Sequence, residues 1–430
     1  MKTPLKITII GAGTGGLCLA QGLKSGDIAV EVFERDHSPI DRLQGYRLSI
    51  NRAGSEALKS CLPGPLFEKL LSNSANPSHA VTFLDHRLNR LLVINFGQHT
   101  SDGIEHELPV SRIALRSVLL EGLGPIVQFG KKFVAFEEGP NGSIAARFTD
   151  GSTTTGDVLV GADGASSRVR AQLLPHAERV ETGIVAVSGK FGLDEAVRAT
   201  APQAIFQGPT LILGPRGCFL FASAVEYGQA RARYISGEST ADSGAGDTLR
   251  YDSEEYLMWG FSAHREAFAS ANLETASGED LKNAVVALID DWYPDLQRLV
   301  RSAEASTVTA SPVKTSIPIP AWETGKVTLL GDALHNMTPF RGIGANTALR
   351  DAARLRQALG AVARGEQDLI QSLAVYERNM LDYGFRAVRS SLKEMERLHS
   401  TSVVGRTFTK TIFRVVDLFP PLQTVFHGGA

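Results

Sequence analysis

The sequence is poor in cysteine, in net charge and in long apolar runs, and each shortage excludes a class of protein. Its three cysteines, Cys18, Cys61 and Cys218, are far apart and lack the spacing of a metal or disulfide framework, so we expect a reducing, cytoplasmic compartment and no metal site. Lysine plus arginine number 44 and aspartate plus glutamate 46, a balance that predicts no nucleic-acid partner. No apolar run reaches the roughly 18 residues of a membrane span, so no transmembrane segment is expected.

Glycine, in contrast, is abundant, at 42 of 430 residues, where average usage is roughly 7%. The hydrophobic share of 43% and the charged share of 21% are ordinary for a soluble globular chain, and the length suggests two or three domains. Excess glycine indicates many tight turns, or backbone that approaches a ligand closely.

The first glycine cluster, G-A-G-T-G-G over residues 11–16, follows an apolar run at Lys6–Ile10 and precedes a helical pattern at Leu17–Leu23. The next β-branched run, Ile28–Phe33, ends at Glu34. This order of strand, glycine loop, helix, strand and acid is typical of a βαβ unit that binds a dinucleotide. Free amides at the helix start attract phosphate. Glu34 would accept hydrogen bonds from ribose and disfavour a 2′-phosphate, which predicts bound FAD or NAD rather than NADP.

Two further glycine motifs lie where an apolar strand meets a helix. One is Gly161-Ala162-Asp163-Gly164. The other runs from Gly331-Asp332 to Gly344-Ala345-Asn346. In the second, Asp332 suits a chain of hydroxyl groups, the glycines at 342 and 344 admit a planar ring, and the following helix directs its positive end at that position.

Together the three motifs resemble those of the p-hydroxybenzoate-hydroxylase-like, group A FAD-dependent monooxygenases. The loop with Glu34 is similar to the family's FAD-ADP site, Asp163-Gly164 to its DG motif, and Gly331-Asp332 with Pro339 to its GD motif. The resemblance extends to about residue 355 and identifies no substrate. It implies an α/β fold: a Rossmann-like FAD-binding domain, an inserted β-sheet substrate domain and a helical C-terminal region.

The resemblance also implies roles for individual residues. Glu34 would meet the adenosine ribose, Asp332 the ribityl chain or pyrophosphate, and Ala345 the flavin. Arg112, in V-S-R-x-x-L, matches an arginine that contacts FAD, and Asp163 would hold a loop, with a simple helix cap as its alternative role. The predicted cofactor-binding residues are Gly11, Gly13, Gly16, Glu34, Arg35, Gly45, Arg112, Asp163, Asp332, Gly342, Gly344, Ala345 and Asn346.

Changes of pattern divide the chain into four parts. We expect a first FAD-binding part at 1–178, a substrate-binding sheet at 179–310 with added strands at 80–110, a second FAD-binding part at 311–365, and C-terminal helices at 366–430. The first part should contain an antiparallel meander of four short runs, Ile126–Phe129, Lys132–Phe136, Ser143–Phe148 and Thr153–Val160, which returns to the main sheet at Val158–Gly161. Further strands are expected at Cys218–Val225, Ala230–Ile235 and Tyr256–Ser262, and a loop at Ser236–Asp247.

The last predicted helix, at about Val404–Leu418, is amphipathic. It carries basic residues at 406, 410 and 414 on one face and Phe408, Ile412 and Val415 on the other. This pattern favours packing against the protein body, with contact to a membrane surface as the alternative.

The activity implied by the resemblance is that of an NAD(P)H-dependent FAD monooxygenase. Transient NADH or NADPH would reduce the FAD, and a flavin C4a-hydroperoxide would insert one atom of dioxygen into a small aromatic, polyketide-like or alkene substrate, by hydroxylation or epoxidation. No second G-x-G-x-x-G follows a strand, so no separate nicotinamide domain is expected. A flavoprotein reductase without oxygen insertion and a non-catalytic binding protein are the alternatives, and the chain should be a monomer or homodimer. Candidate catalytic side chains are Arg231, Arg233, Tyr234, His335 and Pro339.

Overall fold

The computed structural model describes residues 5–39, 41, 47–95, 107–227, 255–269 and 272–419. Its strands form two main sheets and two small ones. In chain order the strands are β1 (Lys6–Ile10), β2 (Ala29–Phe33), β3 (Arg47–Asn51), β4 (Ala80–Asp85), β5 (Arg90–Asn95), β6 (Glu107–Ser111), β7 (Val127–Gln128), β8 (Phe133–Glu138), β9 (Ile144–Phe148), β10 (Thr153–Gly156), β11 (Val158–Gly161), β12 (Arg179–Gly192), β13 (Thr210–Leu213), β14 (Phe219–Val225), β15 (Tyr256–His264), β16 (Thr309–Ser316) and β17 (Val327–Leu329).

Helices pack against both main sheets. In chain order they are α1 (Thr14–Lys24), α2 (Arg52–Cys61), α3 (Gly64–Ser72), α4 (Arg112–Leu120), α5 (Arg168–Leu173), α6 (Glu195–Thr200), α7 (Ala204–Gln207), α8 (Gly278–Leu288), α9 (Pro294–Arg301), α10 (Asp332–His335), α11 (Gly344–Ala363), α12 (Leu369–Leu398) and α13 (Val403–Leu418). Among the described residues, no helix is both long and apolar enough to span a bilayer.

The first sheet is parallel, with strand order β17-β11-β1-β2-β7. Its central strands are buried on both faces, which explains their uninterrupted apolar runs: Ile7, Ile9 and the residues of 158–160 have no exposed surface. The helices α1 and α11 pack together on this sheet. The glycine loops lie at the carboxyl ends of its strands, where parallel sheets place ligands.

The second sheet has seven strands in the order β16-β12-β15-β14-β13-β4-β5. Its side chains alternate between two faces. On one face Val187, Trp259 and Phe261 are buried against α8 and α9. The other face, which includes Ser188 and Gly260, lines a cavity towards the first sheet. The predicted α/β class, with two sheets and a helical C-terminal region, is confirmed.

The structure corrects the predicted meander. Val127–Gln128, within the run predicted at Ile126–Phe129, pairs in parallel with β2 in the first sheet, where the Ile126 and Gln128 carbonyls accept from the amides of Val32 and Glu34. The chain returns to the first sheet at Val158–Gly161, as predicted, directly after Asp157, whose carboxylate accepts from the Lys6 amide at 2.8 Å. The antiparallel sheet therefore consists of β8, β9 and β10.

Two other sequence-based expectations differ from the structure or lie beyond it. The strand Thr309–Ser316 crosses the predicted boundary at 310/311, because it pairs with β12 in the seven-stranded sheet. The predicted strand Ala230–Ile235 and the loop Ser236–Asp247 lie outside the described residues.

The C-terminal helix α13 has the predicted position but another orientation. Phe413 and Val416 pack into a cluster with Phe83, Leu91 and Leu92 of the β4–β5 hairpin. Phe408, Ile412 and Val415, the predicted apolar face, are exposed. The hairpin supplies an apolar surface that receives the ring of Phe413 instead.

Candidate functional site

One cavity of about 1840 Å³ connects the two main sheets. Small-molecule pockets typically hold about 300–1,000 Å³, so this one is large enough for an extended ligand and a second molecule. One side, here called the loop wall, consists of residues 11–15, 34–36, 162–166, 330–332 and 337–346. The opposite side, the sheet wall, consists of Val81, Ala186, Ser188, Leu211, Phe219, Phe221, Met258, Gly260 and Ser262.

The first glycine loop is packed too closely for any side chain at two of its positions. Gly11 has φ +110°, and a Cβ there would lie 2.4 Å from the Ala162 carbonyl oxygen. A Cβ on Gly16 would lie 2.2 Å from the Gly11 carbonyl oxygen. Gly13, by contrast, has no atom within 4 Å of its Cβ position. The helix α1 begins there without a side-chain cap, so its first amides remain available to a ligand.

Glu34 holds this loop in place. Its carboxylate accepts hydrogen bonds from the Ala12 amide at 2.7 Å and the Asp36 amide at 3.0 Å. The side chain is buried, and the residue lines the cavity beside the exposed Arg35. Each carboxylate oxygen has a second acceptor position, so Glu34 can also accept from a ligand hydroxyl.

Asp163 organises the second loop. Its carboxylate accepts from the Ser167 hydroxyl at 2.5 Å and from the Arg168 amide at 2.7 Å, at the start of α5. Ser167 in turn caps this helix by accepting from the Arg170 amide. These bonds match the helix-capping alternative, while Asp163 and Gly164 still line the cavity.

The third loop presents a carboxylate and a helix start to the cavity. Asp332 is exposed towards the cavity at the start of α10. Its Oδ1 lies 4.0 Å from the position of a Cβ on Gly344, where α11 begins. The residue preceding α11, Ile343, provides no side-chain cap. The partial positive charge of the α11 amides therefore faces the same space as Asp332.

Asn346, predicted to contact a cofactor, makes its side-chain hydrogen bonds elsewhere. Its amide nitrogen donates to the Ser49 carbonyl at 2.8 Å, and its oxygen accepts from the Asn51 amide at 2.9 Å. This side chain therefore joins β3 to α11 and positions the loop wall.

His335, a candidate catalytic residue, lies behind the loop wall and is not among its lining residues. Its Nε2 is 2.7 Å from Asp351, which also accepts from the Gly331 amide and from the Tyr383 hydroxyl. Burial alone would lower the pKa of His335, but the Asp351 carboxylate outweighs it and raises that pKa. This buried cluster supports the loop and has no access to a substrate.

The sheet wall is mostly apolar. Val81, Leu211, Phe221 and Met258 are half-buried and face the cavity, with Ser188 as a polar exception. Phe340, from the loop wall, stands beside Phe219 with ring centroids 6.0 Å apart. Such a lining excludes water and suits a flat, apolar molecule.

A buried ion pair lies in the cavity lining outside the two walls, and sequence reasoning missed it. Arg47 forms a salt bridge with Glu107. Its other bonds reach the hydroxyls of Ser223 on β14, at 3.0 Å, and of Ser78, at 2.9 Å. Arg47 and Glu107 line the cavity. They are 60 residues apart and belong to no local motif, so no sequence signal pairs them.

A second missed feature is a histidine behind the sheet wall. His399 Nδ1 lies 2.8 Å from the Met395 carbonyl, and its Nε2 lies 2.8 Å from the Ser262 hydroxyl. Burial, together with nearby His264, lowers the pKa of His399 to about 4. The ring is therefore neutral. Its Nδ1–H donates to the Met395 carbonyl, and its Nε2 accepts a hydrogen bond from the Ser262 hydroxyl.

The structure brings most of the predicted residues to one cavity. Gly45, Arg231, Arg233 and Tyr234 lie outside the described residues. Gly16 is packed beneath the first loop. The predicted residues in the cavity lining are Gly11, Gly13, Glu34, Arg35, Arg112, Asp163, Asp332, Pro339, Gly342, Gly344, Ala345 and Asn346.

Comparisons with known proteins agree with this geometry. A family model described as FAD binding domain matches residues 297–391. A solved structure assigned as a FAD-containing monooxygenase, from Photorhabdus luminescens, is 33% identical, with a TM-score of 0.78, and the match covers 92% of this chain and 98% of that one.

Two curated relatives are similar along most of the chain. The FAD-dependent urate hydroxylase of Klebsiella oxytoca is 29% identical over 389 residues, which are 88% of this chain and 86% of that protein. The dual O-methyltransferase/FAD-dependent monooxygenase elcB of Phaeosphaeria nodorum is 30% identical over 399 residues, 86% of this chain but 42% of the fungal protein. The chain thus spans less than half the length of such dual-function relatives.

Proposed function

The chain belongs to the FAD-dependent monooxygenases, and on that premise we propose that it inserts one oxygen atom of dioxygen into a small, largely apolar aromatic molecule. FAD is its cofactor, NADH or NADPH the source of electrons, and hydroxylation of the ring the proposed reaction. The observation that carries the proposal is the single cavity in which the loop wall faces the apolar sheet wall.

The loop wall fits FAD. Cβ positions at Gly13, Gly164 and Gly342 are open, so the backbone can approach a ligand there. We propose that the α1 amides bind the pyrophosphate, that Glu34 and Arg112 bind the adenosine side, and that Asp332 binds the ribityl chain. The start of α11 would then lie at the flavin ring, where its positive end stabilises negative charge.

When bound and reduced, FAD supplies the electrons that activate dioxygen. The chain positions the substrate and keeps water away. Phe221, Met258 and Leu211 would contact an aromatic ring, and Phe340 lines the same cavity beside Phe219. Ser188 on the sheet wall and Arg47 on β3 are polar groups of the cavity lining that can orient a substrate oxygen.

The urate hydroxylase relative supports an aromatic substrate, since its own substrate is a flat ring system. Two features of the loop wall disfavour a non-catalytic binding protein: the glycine loops are intact, and Asp332 is presented to the cavity.

Oxygen labelling separates insertion from simple redox turnover. The purified chain, reconstituted with FAD, should show a flavin spectrum and oxidise NADH or NADPH faster with a suitable phenol. Under ¹⁸O₂ the product should be heavier by one labelled oxygen atom. Turnover without label would assign the chain to the flavoprotein reductases, and failure to bind FAD would overturn the whole proposal.

A substitution tests the proposed FAD contact. Asp332→Ala should weaken FAD binding about 10- to 100-fold, since a charge-assisted hydrogen bond contributes about 1.5–3 kcal/mol. Fluorescence titration measures the dissociation constant. Asp382→Ala, which removes an exposed acid on α12, is the matched control, and equal affinities for the two variants would contradict the assignment.

A further inference from the structure

The helix α13 exposes a row of apolar side chains. Val404, Phe408, Ile412, Val415 and Leu418 repeat at helical spacing and form what we call the outer face. Phe408 is 66% exposed and Leu418 74%. Seven of the thirteen exposed large apolar side chains among the described residues lie in the segment Val403–Phe419. Single exposed apolar residues are common, but a row of them indicates an interaction surface.

Contacts on the opposite side hold this helix in its orientation. The Phe413 ring packs 4.7 Å from that of Phe83 and is 1% exposed. Asp417 accepts from the Arg90 guanidinium at 2.9 Å and from the Val93 amide at 3.0 Å. Turning the helix to bury its outer face would break these contacts, so they fix which face of α13 points away from the hairpin.

The charge around α13 differs in sign from that of the whole chain. The helix and the β4–β5 hairpin beneath it, residues 80–95, carry five cationic side chains and two carboxylates, a local charge of +3 against −2 overall. Both carboxylates are engaged: Asp85 accepts from Asn89, and Asp417 from Arg90. The five cationic residues are Arg87, Arg90, Arg406, Lys410 and Arg414.

We propose that the outer face of α13 docks on the surface of an anionic lipid bilayer, with the helix parallel to the membrane plane. The outer face supplies the apolar contact that such binding requires, and the basic residues on the other face of α13 and on the hairpin supply the attraction to anionic headgroups. A two-fold dimer through the same face is disfavoured, because it would bring two patches of charge +3 together. The proposal concerns a surface outside the cavity and does not depend on the substrate.

Vesicle sedimentation of the full-length, FAD-loaded chain tests this surface. The chain should sediment with vesicles of equimolar phosphatidylcholine and phosphatidylglycerol, and far less with phosphatidylcholine alone. Phe408→Ser with Leu418→Ser should reduce the partition coefficient at least about tenfold, because two large apolar side chains no longer enter the lipid. Arg414→Glu should reduce it a few-fold, and added salt should weaken binding.

The matched control is Val375→Ser, at a singly exposed apolar position on α12, which should bind as the wild type does. Circular dichroism and melting temperature establish that each variant is folded. Equal sedimentation of wild type and double variant, or equal binding to neutral vesicles, would overturn the proposal. Light scattering without lipid that shows a dimer, dispersed by the same double substitution, would assign the face to a second copy instead and equally overturn it.

Discussion

The two walls of the cavity are built in different ways. The loop wall uses backbone: glycines at 11, 13, 164, 342 and 344 and helix starts, each within a short stretch of sequence. The sheet wall uses side chains from five strands between residues 81 and 262. Binding through backbone leaves a local sequence pattern, because glycine is required at fixed spacings. Binding through scattered apolar side chains leaves no such pattern.

Each wall also has a buried histidine behind it, and the two have opposite electrostatics. His335 contacts the Asp351 carboxylate, which raises its pKa. His399 has a carbonyl and a hydroxyl as neighbours, and burial lowers its pKa to about 4. The loop wall is thus supported by a histidine–carboxylate contact and the sheet wall by hydrogen bonds of a neutral histidine. This difference predicts distinct responses to mutation and to pH.

The largest effect is expected in the loop wall. Gly16→Ala places a Cβ 2.2 Å from a backbone oxygen, which neither strand nor helix can accommodate. We expect a loss of more than about 4 kcal/mol in the free energy of unfolding, and no FAD binding. Denaturant titration and flavin absorbance measure these. The Gly13→Ala variant has open space around the added Cβ, so it should fold normally and only bind FAD more weakly. Equal stability of the two variants would contradict the packing argument.

The next effect concerns the ion pair of Arg47 and Glu107. Arg47→Met leaves the buried Glu107 carboxylate without its cation, which should cost about 3–5 kcal/mol of stability. Adding Glu107→Gln to the same chain removes the uncompensated charge and should recover most of the lost stability. Urea unfolding of both variants tests this. If the double variant were no more stable than the single one, the loss would arise from packing rather than charge.

The two histidines should give opposite pH dependence. Since the folded pKa of His399 is about 4 and the unfolded value about 6.5, stability should fall as pH drops from 6.5 towards 4, by up to about 3 kcal/mol. The raised pKa of His335 acts in reverse: its contribution is present below about pH 6.5 and lost as pH rises through the folded pKa.

Unfolding free energies from about pH 4 to 9 measure both contributions. His399→Gln should remove the loss of stability at acidic pH. His335→Gln should remove the loss of stability at alkaline pH. His176→Gln, at an exposed position, should change neither. An unchanged acid-side slope in His399→Gln would show that the sheet wall owes its acid sensitivity to other groups.

The smallest effect on stability is expected in the sheet wall. A Cβ on Gly260 meets no atom within 4 Å, so Gly260→Ala should change stability by less than about 0.5 kcal/mol. It narrows the cavity and should raise KM a few-fold with little change in kcat. On the opposite face, a Cβ on Gly189 lies 2.9 Å from Val308, so Gly189→Ala should cost about 1–3 kcal/mol. A reversed order of stability would mean that the two faces are misassigned.

Much of the fold was predictable because its signals are local. The βαβ unit, the three glycine motifs and the long C-terminal helices follow from periodicity and turn residues, and the family that the motifs resemble is confirmed. The meander was wrong at Ile126–Phe129, since a two-residue strand carries no sign of which neighbour it pairs with. The sequence also did not predict which side of α13 packs inward, because both faces of that helix carry apolar residues.

Residue order alone thus specified a cofactor and the loops that approach it, because a close backbone approach demands glycine at particular positions. Long-range packing was needed for everything that pairs distant residues. It joins Arg47 to Glu107 and His399 to Ser262, and it engages Asn346 with β3. It also turns Phe413 inward, which leaves Phe408 exposed. These outcomes depend on which surfaces pack together in three dimensions, and no residue spacing along the sequence predicts such contacts.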